Sequence, residues 1–414
     1  MDDQIVDRIV DSVDRESIVE MSRDVISISS PTGYEQEMGK YMKRTFKEMG
    51  LSVAWQQVEE NRPNVIGRYE SPEPGPELMF NGHMDTSYTG EEEHLTGLGY
   101  YPNPVVKDGI IYGLGIYNMK GALVCYTHAL KALMDAGVEL SGDVVIAAVA
   151  GEIEKSQWGE EFEGSQFRGY GVGSHHLVNH GIVPDMCILG EPTGLQVVPG
   201  HFGALWARIT THGPYMHAGF SGGKEDQNSI QRMHRIVEKV NQWMEDWKQD
   251  KRYGNKQGVI NLGGIKGGHA WRASRTPHRT DLYLDIRVPP TVTMSEAKKE
   301  LKARVLRWDE EFPDFDLEYE TYVSRPGAEI DESHEMIAAI DRNHETVLGD
   351  TPERDTVVWS SDASVLSRYG IDTVNYGPSS GLRGDQGEMM EIKTLMNMTK
   401  IYALTVADIC GIRN

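Results

Sequence analysis

The sequence predicts an α/β protein built on a mixed, largely parallel sheet that is flanked by helices and interrupted by a smaller α+β insert. Strand-like and helical segments alternate over the first half of the chain, which is the pattern of a parallel sheet covered by helices. The texture changes after Gly200, where helical and strand-like segments no longer alternate, and it returns to the first pattern before the C-terminus. These changes predict a main domain formed by residues 1–199 and 324–414 and an inserted domain formed by residues 200–323.

The elements of the first part follow from apolar periodicity and from its interruptions. Helical spacing of apolar residues predicts helices at about 3–28, 35–49 and 122–136. Ser29-Ser30-Pro31-Thr32-Gly33 breaks the first of these patterns, and a glycine-rich turn at 112–121 leads into the last. Residues 89–108 are rich in Gly, Pro and Tyr and are predicted to form a loop. The predicted strands are 51–57, 64–69, the run that ends at His83, 144–150 and 186–189.

The insert and the last part of the chain are interpreted in the same way. Thr293-Met294-Ser295-Glu296 is a capping-box pattern, which predicts a helix from there to about residue 310. In the insert we also expect a helix at 226–248 and strands at 204–211, 258–265, 281–288 and 315–323. In the last part we expect helices at 334–347 and 392–409 and strands at 355–359 and 373–376.

Composition limits the classes of function. The 414 residues carry a formal charge of −22, which argues against nucleic acid or an anionic membrane as the main partner, because both require basic patches. No apolar run approaches the length needed to span a bilayer, and the acidic N-terminus lacks the order of a secretion signal. The three cysteines are far apart and odd in number. We therefore expect a cytoplasmic protein without a disulfide framework, acting on a small-molecule substrate.

Three predicted strands end in residue types that bind metals or transfer protons. His83 and Asp85 are two positions apart at a strand end and share one face. That arrangement suits an imidazole that binds a metal through one nitrogen and is held by a carboxylate at the other. Glu152 and Glu191 directly follow two further buried strands. Because α/β sheets bind ligands at the carboxyl ends of their strands, these side chains together indicate a functional site.

Taken together, the segments resemble the M20 family of metallohydrolases in order and spacing, over nearly the whole chain. The motifs that carry the resemblance are Gly82-His83-Met84-Asp85, the segment 115–121, Gly190-Glu191-Pro192-Thr193, His217, Ser361-Asp362-Ala363, Gly377-Pro378 and Glu388. The resemblance implies a catalytic α/β domain that holds a pair of zinc-like ions, with an inserted lid domain that often forms a dimer. It also implies hydrolysis of an amide bond in an N-acyl amino acid or a small peptide.

The resemblance assigns roles to four residues. His83 and Glu191 match the histidine and the glutamate of the first ion. Asp85 matches the carboxylate behind that histidine, and Glu152 matches the general base that activates water. Asp85 and Glu152 are therefore predicted to be catalytic, and His83 and Glu191 to be metal ligands.

Three positions depart from the family pattern. Asn118 stands where the aspartate that bridges the two ions is expected, Ile153 where a glutamate of the second ion is expected, and Gly384 where its histidine is expected. We therefore predict that the second ion is absent. One divalent ion (zinc, cobalt or manganese) could still be held weakly by His83 and Glu191, with the Asn118 amide as a poor third ligand. Asp385 or Glu154 could replace a lost ligand only with a shift of register.

The remaining predicted site residues bind substrate or complete the site. His217 matches the residue that reaches the site from a partner subunit and stabilises an oxyanion, which implies a homodimer through the inserted domain. Asn118 is also predicted to contact substrate. Arg272 and Arg275, with Arg279 and Arg287, lie near the segment that contacts the substrate carboxylate in the family, and an arginine suits a carboxylate. Arg383 lies beside the lost histidine position and could supply a fixed positive charge.

These residues support one main function and two alternatives. The main prediction is a hydrolase of carbon–nitrogen amide bonds in small N-acyl amino acid-like or peptide-like substrates, in which Glu152 activates water with at most one weakly bound metal. The first alternative is a metal-free hydrolase of another amide, such as a cyclic one. The second is a non-catalytic protein that binds a small molecule in the same cleft.

Overall fold

The computed structural model describes residues 1–156, 168–378 and 386–413, and the chain forms two compact units. Unit 1 comprises Met1–Pro199, Glu329–Asp355 and Ser361–Asn414, and unit 2 comprises Gly200–Ala328 and Thr356–Ser360. The division into a main domain of residues 1–199 and 324–414 and an inserted domain of residues 200–323 stays a prediction.

The strands are short and are numbered in chain order. They are β1 (Ser52–Glu59), β2 (Arg62–Tyr69), β3 (Glu77–His83), β4 (Val105–Lys107), β5 (Ile110–Tyr112), β6 (Asp143–Val149), β7 (Met186–Leu189), β8 (Val197–His201), β9 (Gly203–His212), β10 (Arg252–Tyr253), β11 (Lys256–Gln257), β12 (Ile260–Gly267), β13 (Arg279–Val288), β14 (Glu318–Arg325), β15 (Ala328–Glu329), β16 (Arg354–Val357), β17 (Asp372–Asn375) and β18 (Met389–Glu391).

The α-helices are numbered in the same way. They are α1 (Asp3–Asp11), α2 (Arg15–Ser27), α3 (Gln36–Glu48), α4 (Gly121–Asp135), α5 (Val172–Asn179), α6 (Ser229–Asp250), α7 (Met294–Glu311), α8 (Glu335–Leu348), α9 (Ala363–Leu366) and α10 (Ile392–Cys410). A short kinked segment, Ile116–Lys120, precedes α4, and two of its residues, Asn118 (φ −128°, ψ 97°) and Met119 (φ −131°, ψ 30°), are not helical. None of the helices in the described ranges is both long and apolar enough to cross a lipid bilayer.

The sheet of unit 1 is parallel at its centre and antiparallel toward its edges. Its order is β1-β2-β6-β3-β7-β17-β8-β15, and β16 pairs with β8. Strands β6, β3, β7 and β17 run parallel to one another, whereas β1, β2 and β8 join antiparallel. The central strands are apolar and buried along almost their whole length, as strands covered by helices on both faces should be. The predicted fold class is confirmed.

Helices cover the sheet of unit 1 with large apolar and aromatic side chains. Helices α4 and α10 pack against each other and against β3. Phe80 of β3 stacks on Tyr126 of α4, with ring centroids 4.6 Å apart, and contacts Tyr402 of α10 at 5.1 Å. This contact fixes the position of α4 relative to the strand that ends at His83.

Unit 2 has a core of its own. Its antiparallel sheet has the order β12-β13-β9-β14, and α6 and α7 pack against it. Trp243, Trp247 and Trp308 of these helices lie in the core with the apolar residues of the sheet. The capping box predicted at Thr293 and Glu296 is present at the start of α7.

Candidate active site

Three neighbouring strands of the main sheet carry the predicted metal-binding and acid–base residues at their carboxyl ends. Strand β3 lies between β6 and β7 and is parallel to both. His83, the last residue of β3, pairs with Val149 of β6, so that Glu152 follows just beyond the neighbouring strand end. Glu191 follows two residues after the end of β7. The order of the strands therefore brings the three residues to one edge of the sheet.

The side chains of His83, Glu152 and Glu191 converge. All three are buried, and a possible ligand atom from each lies within 4.8 Å of those of the other two. Within the described ranges, these residues are the only group of His, Cys, Asp or Glu side chains that meets this spacing. Glu152, predicted as the base, is thus also near enough to be a ligand.

The hydrogen bonds of His83 determine which ring nitrogen can bind a metal. Nδ1 lies 2.9 Å from the carbonyl oxygen of Asp85, and because a carbonyl only accepts, Nδ1 must be the donor. Nε2 lies 2.9 Å from Oδ1 of Asn118. In a neutral ring Nε2 carries a lone pair, which would face the lone pairs of this amide oxygen. A positive charge on or beside the ring removes that conflict, as does a rotation of the amide that brings its NH2 group to Nε2.

The charges around His83 favour such a positive charge. Burial alone would lower the pKa of His83, but its interaction with Asp85 and the negative charges of Glu191 and Glu152 raise that pKa well above its ordinary value. A proton or a metal ion can supply the charge. One imidazole with two buried carboxylates at this spacing is a donor set that divalent transition metals accept, so the residues fit a single divalent ion.

Asp85 holds the loop that carries Glu152. Its Oδ1 accepts the backbone N–H of Glu152 at 3.0 Å, and its Oδ2 accepts the N–H of Ile153 at 3.2 Å and the hydroxyl of Thr32 at 2.8 Å. Burial would raise the pKa of Asp85, but His83 and these hydrogen bonds lower it to about 2. The carboxylate lies 3.4 Å from His83 Nδ1, farther than the Asp85 carbonyl oxygen, so its contacts with the loop are the closer ones.

A buried ion pair lies behind the same loop. Arg62 is fully buried and donates two hydrogen bonds to Glu35, at 2.7 and 2.9 Å, and one to Glu59 at 2.5 Å. Gly151 lies so close to this guanidinium that a Cβ there would be 2.5 Å from it. Gly151 also has a φ of +65°, so a larger residue directly before Glu152 would be both strained and obstructed.

Asn118 lies in the kinked segment Ile116–Lys120 before α4, where its backbone is extended, and a buried glutamate orients it. Oε2 of Glu388 accepts the backbone N–H groups of Tyr117, at 3.0 Å, and of Asn118, at 3.1 Å. Burial raises the pKa of Glu388 to about 7, even though these bonds and the nearby Lys120 lower it. The turn thus presents the Asn118 amide oxygen to His83, at the position where the family pattern predicts a carboxylate.

The residues predicted to bind substrate from the insert lie together in unit 2. His217 is exposed, and its ring accepts the N–H of Gly219 at 3.1 Å. The backbones of His217 and Arg275 pair in an isolated antiparallel β-bridge. The guanidinium of Arg275 lies 5.5 Å from the ring of Tyr215. Arg272 is exposed in a short turn three residues earlier.

Other predicted positions have a less direct relation to the site. Ile153, which replaces a ligand of the second ion, is buried and contributes only its backbone N–H. Glu154 is not part of the converging group. Arg383, Gly384 and Asp385 lie outside the described residues.

Sequence reasoning missed the residues that support the site from behind. Thr32 lies in the polar break between two predicted helices, and its bond to Asp85 connects positions 53 residues apart. The Arg62–Glu35 pair joins positions 27 residues apart. A charged residue inside an apolar strand pattern, such as Arg62 beside Val65 and Ile66, was the one available signal of a buried ion pair.

Comparison with known proteins gives the class to which this fold and site belong. A sequence profile of peptidase family M20/M25/M40 matches residues 79–408, which is most of the chain. The chain belongs to this family and is a hydrolase.

Relatives cover nearly the full length of the chain at low identity. N-formyl-4-amino-5-aminomethyl-2-methylpyrimidine deformylase of Bacillus subtilis is 24% identical over 432 aligned positions, covering 96% of this chain and 95% of its own. Acetylornithine deacetylase of Vibrio atlanticus is 26% identical, covering 87% of this chain and 88% of its own. The crystal structure of human carnosine dipeptidase 1 superposes with a TM-score of 0.76 at 13% identity, covering 98% of this chain and 99% of its own, which supports the fold.

Proposed function

We propose that this enzyme hydrolyses a carbon–nitrogen amide bond in a small N-acyl amino acid-like or peptide-like molecule and uses at most one divalent ion. The observation that carries the proposal is the convergence of His83, Glu152 and Glu191 at three adjacent strand ends. The names of the relatives are consistent with it, since a deformylase and a deacetylase both cleave an amide bond of this kind.

In this proposal the ion is held by His83 Nε2, the Glu191 carboxylate and the amide oxygen of Asn118. Zinc, cobalt and manganese all accept such donors. When bound, the ion supplies polarisation of the amide carbonyl and acidifies a water molecule. Loss of the carboxylate at position 118 removes one negative charge from this donor set, so weak binding is expected.

Glu152 acts as the general base. Its carboxylate takes a proton from the water whose oxygen attacks the amide carbon, and it returns that proton to the amine nitrogen as the carbon–nitrogen bond breaks. The support for this role is the position of the side chain, which is buried at the strand end beside His83 and Glu191. Asp85 fixes the loop through the N–H of Glu152.

Residues of the insert are proposed to bind the acidic end of the substrate. The support is that Nε of Arg275 is buried without a hydrogen-bond partner, and that among the described residues no carboxylate pairs with this guanidinium, although the chain is strongly acidic. Arg275 and Arg272 would hold a carboxylate, and His217 would stabilise the oxyanion of the tetrahedral intermediate. Arg383, which sequence predicts to supply a fixed positive charge beside the lost histidine position, stays a prediction.

The proposal includes a homodimer through the inserted domain, working in the cytoplasm. Strand β12 is an edge of the sheet in unit 2 and exposes Leu262 and Ile265, so its free backbone groups suit a second copy of the same strand. The three cysteines are free and buried, which suits a reducing compartment.

A metal-free hydrolase is a second candidate, and one contact favours it. If His83 is protonated, its Nε2 donates to Asn118 Oδ1 at 2.9 Å, and the two side chains satisfy each other without an ion. The imidazolium could then polarise the substrate carbonyl. This candidate predicts turnover that a chelator does not reduce.

The test compares the wild-type enzyme with Glu152→Gln. Both are assayed on a panel of N-acyl amino acids, dipeptides and N-formylated aminomethylpyrimidines, with zinc, cobalt, manganese or a chelator. We expect kcat to fall about 10²- to 10⁴-fold in the variant, as for loss of a general base, with ion affinity retained. Glu77→Gln, at the opposite end of β3, is the matched control and should keep wild-type activity.

Two outcomes would count against the proposal. An absence of turnover on the whole panel, both with every ion and without any ion, would contradict a hydrolase of this substrate class. The non-catalytic protein that binds a small molecule would then be the remaining hypothesis. An active enzyme that is unaffected by Glu152→Gln would exclude Glu152 as the base.

A further inference from the structure

We propose that Tyr126 is a positioning residue whose single hydroxyl group joins the two strand ends that carry His83 and Glu191. The proposal rests on the proposed function, because it concerns how the chain fixes the separation of the residues assigned there to the ion. Tyr126 lies on α4, and its side chain is fully buried.

The hydroxyl of Tyr126 makes two hydrogen bonds with different strand ends. It donates to the carbonyl oxygen of Asn81 at 3.0 Å and accepts the backbone N–H of Gly190. The directions are fixed by chemistry, since a carbonyl can only accept and an N–H can only donate. One hydroxyl therefore donates a hydrogen bond to β3 and accepts one from the residue that follows β7.

These two bonds lie where the strand ladder ends. The last pair between β3 and β7 is Asn81 with Leu189, and beyond it the two strands no longer pair with each other. His83 follows Asn81 by two residues, and Glu191 follows Gly190 directly. The two hydrogen bonds of the hydroxyl thus connect the strands where their ladder ends, next to the two predicted metal ligands.

The tyrosine itself is held rigidly. Its ring stacks on Phe80 at a centroid distance of 4.6 Å and contacts Tyr402 at 5.3 Å. Gly190 permits the close approach, because a Cβ at that position would lie 2.3 Å from the Tyr126 oxygen. An alanine there would have to displace the hydroxyl.

Helix α4 adds a third connection. It begins immediately after the turn that contains Asn118, so Tyr126 links that turn to both strand ends. The segments that carry His83, Asn118 and Glu191, the three residues assigned to the ion, are consequently all connected to one helix. Outer groups that orient ligands in this way affect ion affinity strongly, although they do not touch the ion.

The test uses Tyr126→Phe, which removes the hydroxyl and keeps the ring. The full-length wild type and variant are titrated with cobalt(II), and the visible absorption of the bound ion is recorded. We expect affinity to fall about 10- to 100-fold, the usual effect of losing a group that orients a ligand, and the absorption spectrum to change. The matched control is Tyr376→Phe, which also removes a buried tyrosine hydroxyl, in this case one that lies 2.6 Å from His344 Nδ1. The affinity and the spectrum of this variant should match the wild type.

A second variant keeps the proposal testable if Tyr126→Phe does not fold. Gly190→Ala would place a Cβ 2.3 Å from the Tyr126 oxygen and 2.5 Å from the Cβ of Ala122, so it should displace the hydroxyl together with this part of α4 and lower the affinity at least as much. If the wild type binds cobalt(II) and both the affinity and the spectrum are unchanged in Tyr126→Phe, the role of Tyr126 is wrong while the proposed function stands. If the wild type itself binds no cobalt(II), the ion site and the role of Tyr126 both fail.

Discussion

The side chain at position 118 is an uncharged amide beside His83, where the family pattern predicts a carboxylate. Its oxygen lies 2.9 Å from His83 Nε2, close enough for both atoms to share one ion. An amide oxygen is a neutral ligand, and it cannot offset the charge of a dication as a carboxylate does. The identity of this one residue therefore has a large influence on whether the pocket retains an ion.

Replacing that amide with a carboxylate should strengthen ion binding. For Asn118→Asp we expect zinc or cobalt(II) affinity to rise by at least about tenfold. Residues that only orient a metal ligand already change affinity by about 10- to 100-fold, and a change of the ligand itself should have at least the smaller of these effects. Isothermal titration of the metal-free protein measures this. Asn179→Asp, which adds the same charge at an exposed position in α5, is the matched control and should leave the affinity unchanged. Equal or weaker binding by Asn118→Asp would show that Asn118 is not a ligand.

At the scale of elements, a buried histidine joins α2 to α4. Nδ1 of His128 lies 2.9 Å from the carbonyl oxygen of Val124 and must donate to it, while Nε2 lies 2.9 Å from the hydroxyl of Ser17. The ring is therefore satisfied in its neutral form. Protonation would add a second donor at Nε2 and place a positive charge in a buried position.

Stability should therefore fall in mild acid because of His128. Burial lowers the pKa of His128, and Lys131 lowers it further. The hydrogen bond to Val124 and the charges of Asp14 and Asp135 oppose this effect without cancelling it. The unfolded chain has the ordinary pKa of about 6.5, so below that pH it binds more protons than the folded chain. The stabilisation is present above about pH 6.5 and is lost as the pH falls.

Urea unfolding between pH 8 and pH 5.5 measures this effect. We expect His128→Gln to lose less stability over that range than the wild type. His234→Gln, at an exposed position on α6, should keep the wild-type dependence on pH. Identical pH dependence in all three proteins would contradict a neutral buried His128.

The elements that sequence reasoning found and missed differ in length and composition. Long segments with regular apolar spacing, such as α6 and α10, were predicted to within a few residues. Strand β8 was missed because Pro199 and Gly200 lie inside it, and both residues weaken a strand pattern. Helix α5 has only eight residues, and β4 is a three-residue strand inside the predicted loop 89–108, so neither is long enough to display a period.

At the scale of the whole molecule, the order of the strands is the part of the site that sequence could not supply. The alternation of elements indicated that His83 ends a strand and that Glu152 and Glu191 each follow one. Only the order β6-β3-β7 brings those strand ends side by side. That order depends on pairing between segments more than 60 residues apart, for which a single sequence contains no local signal.

The proposed homodimer leads to a prediction about mass in solution. One chain has a mass of 46.4 kDa, so light scattering should give about twice that value for the wild type. Ile265→Lys places a charge on the exposed face of edge strand β12 and should shift the protein toward single chains. Leu306→Lys, at an exposed position on α7, is the matched control and should leave the mass unchanged. A wild type that is monomeric at all concentrations would contradict the dimer.

The number of ions that each chain holds tests the account most directly. The wild type is incubated with excess zinc, freed of loosely bound ions by gel filtration, and analysed for metal and protein content. Because position 118 is an amide and position 153 is an isoleucine, we predict no more than one ion per chain. Two tightly held ions per chain would contradict the account.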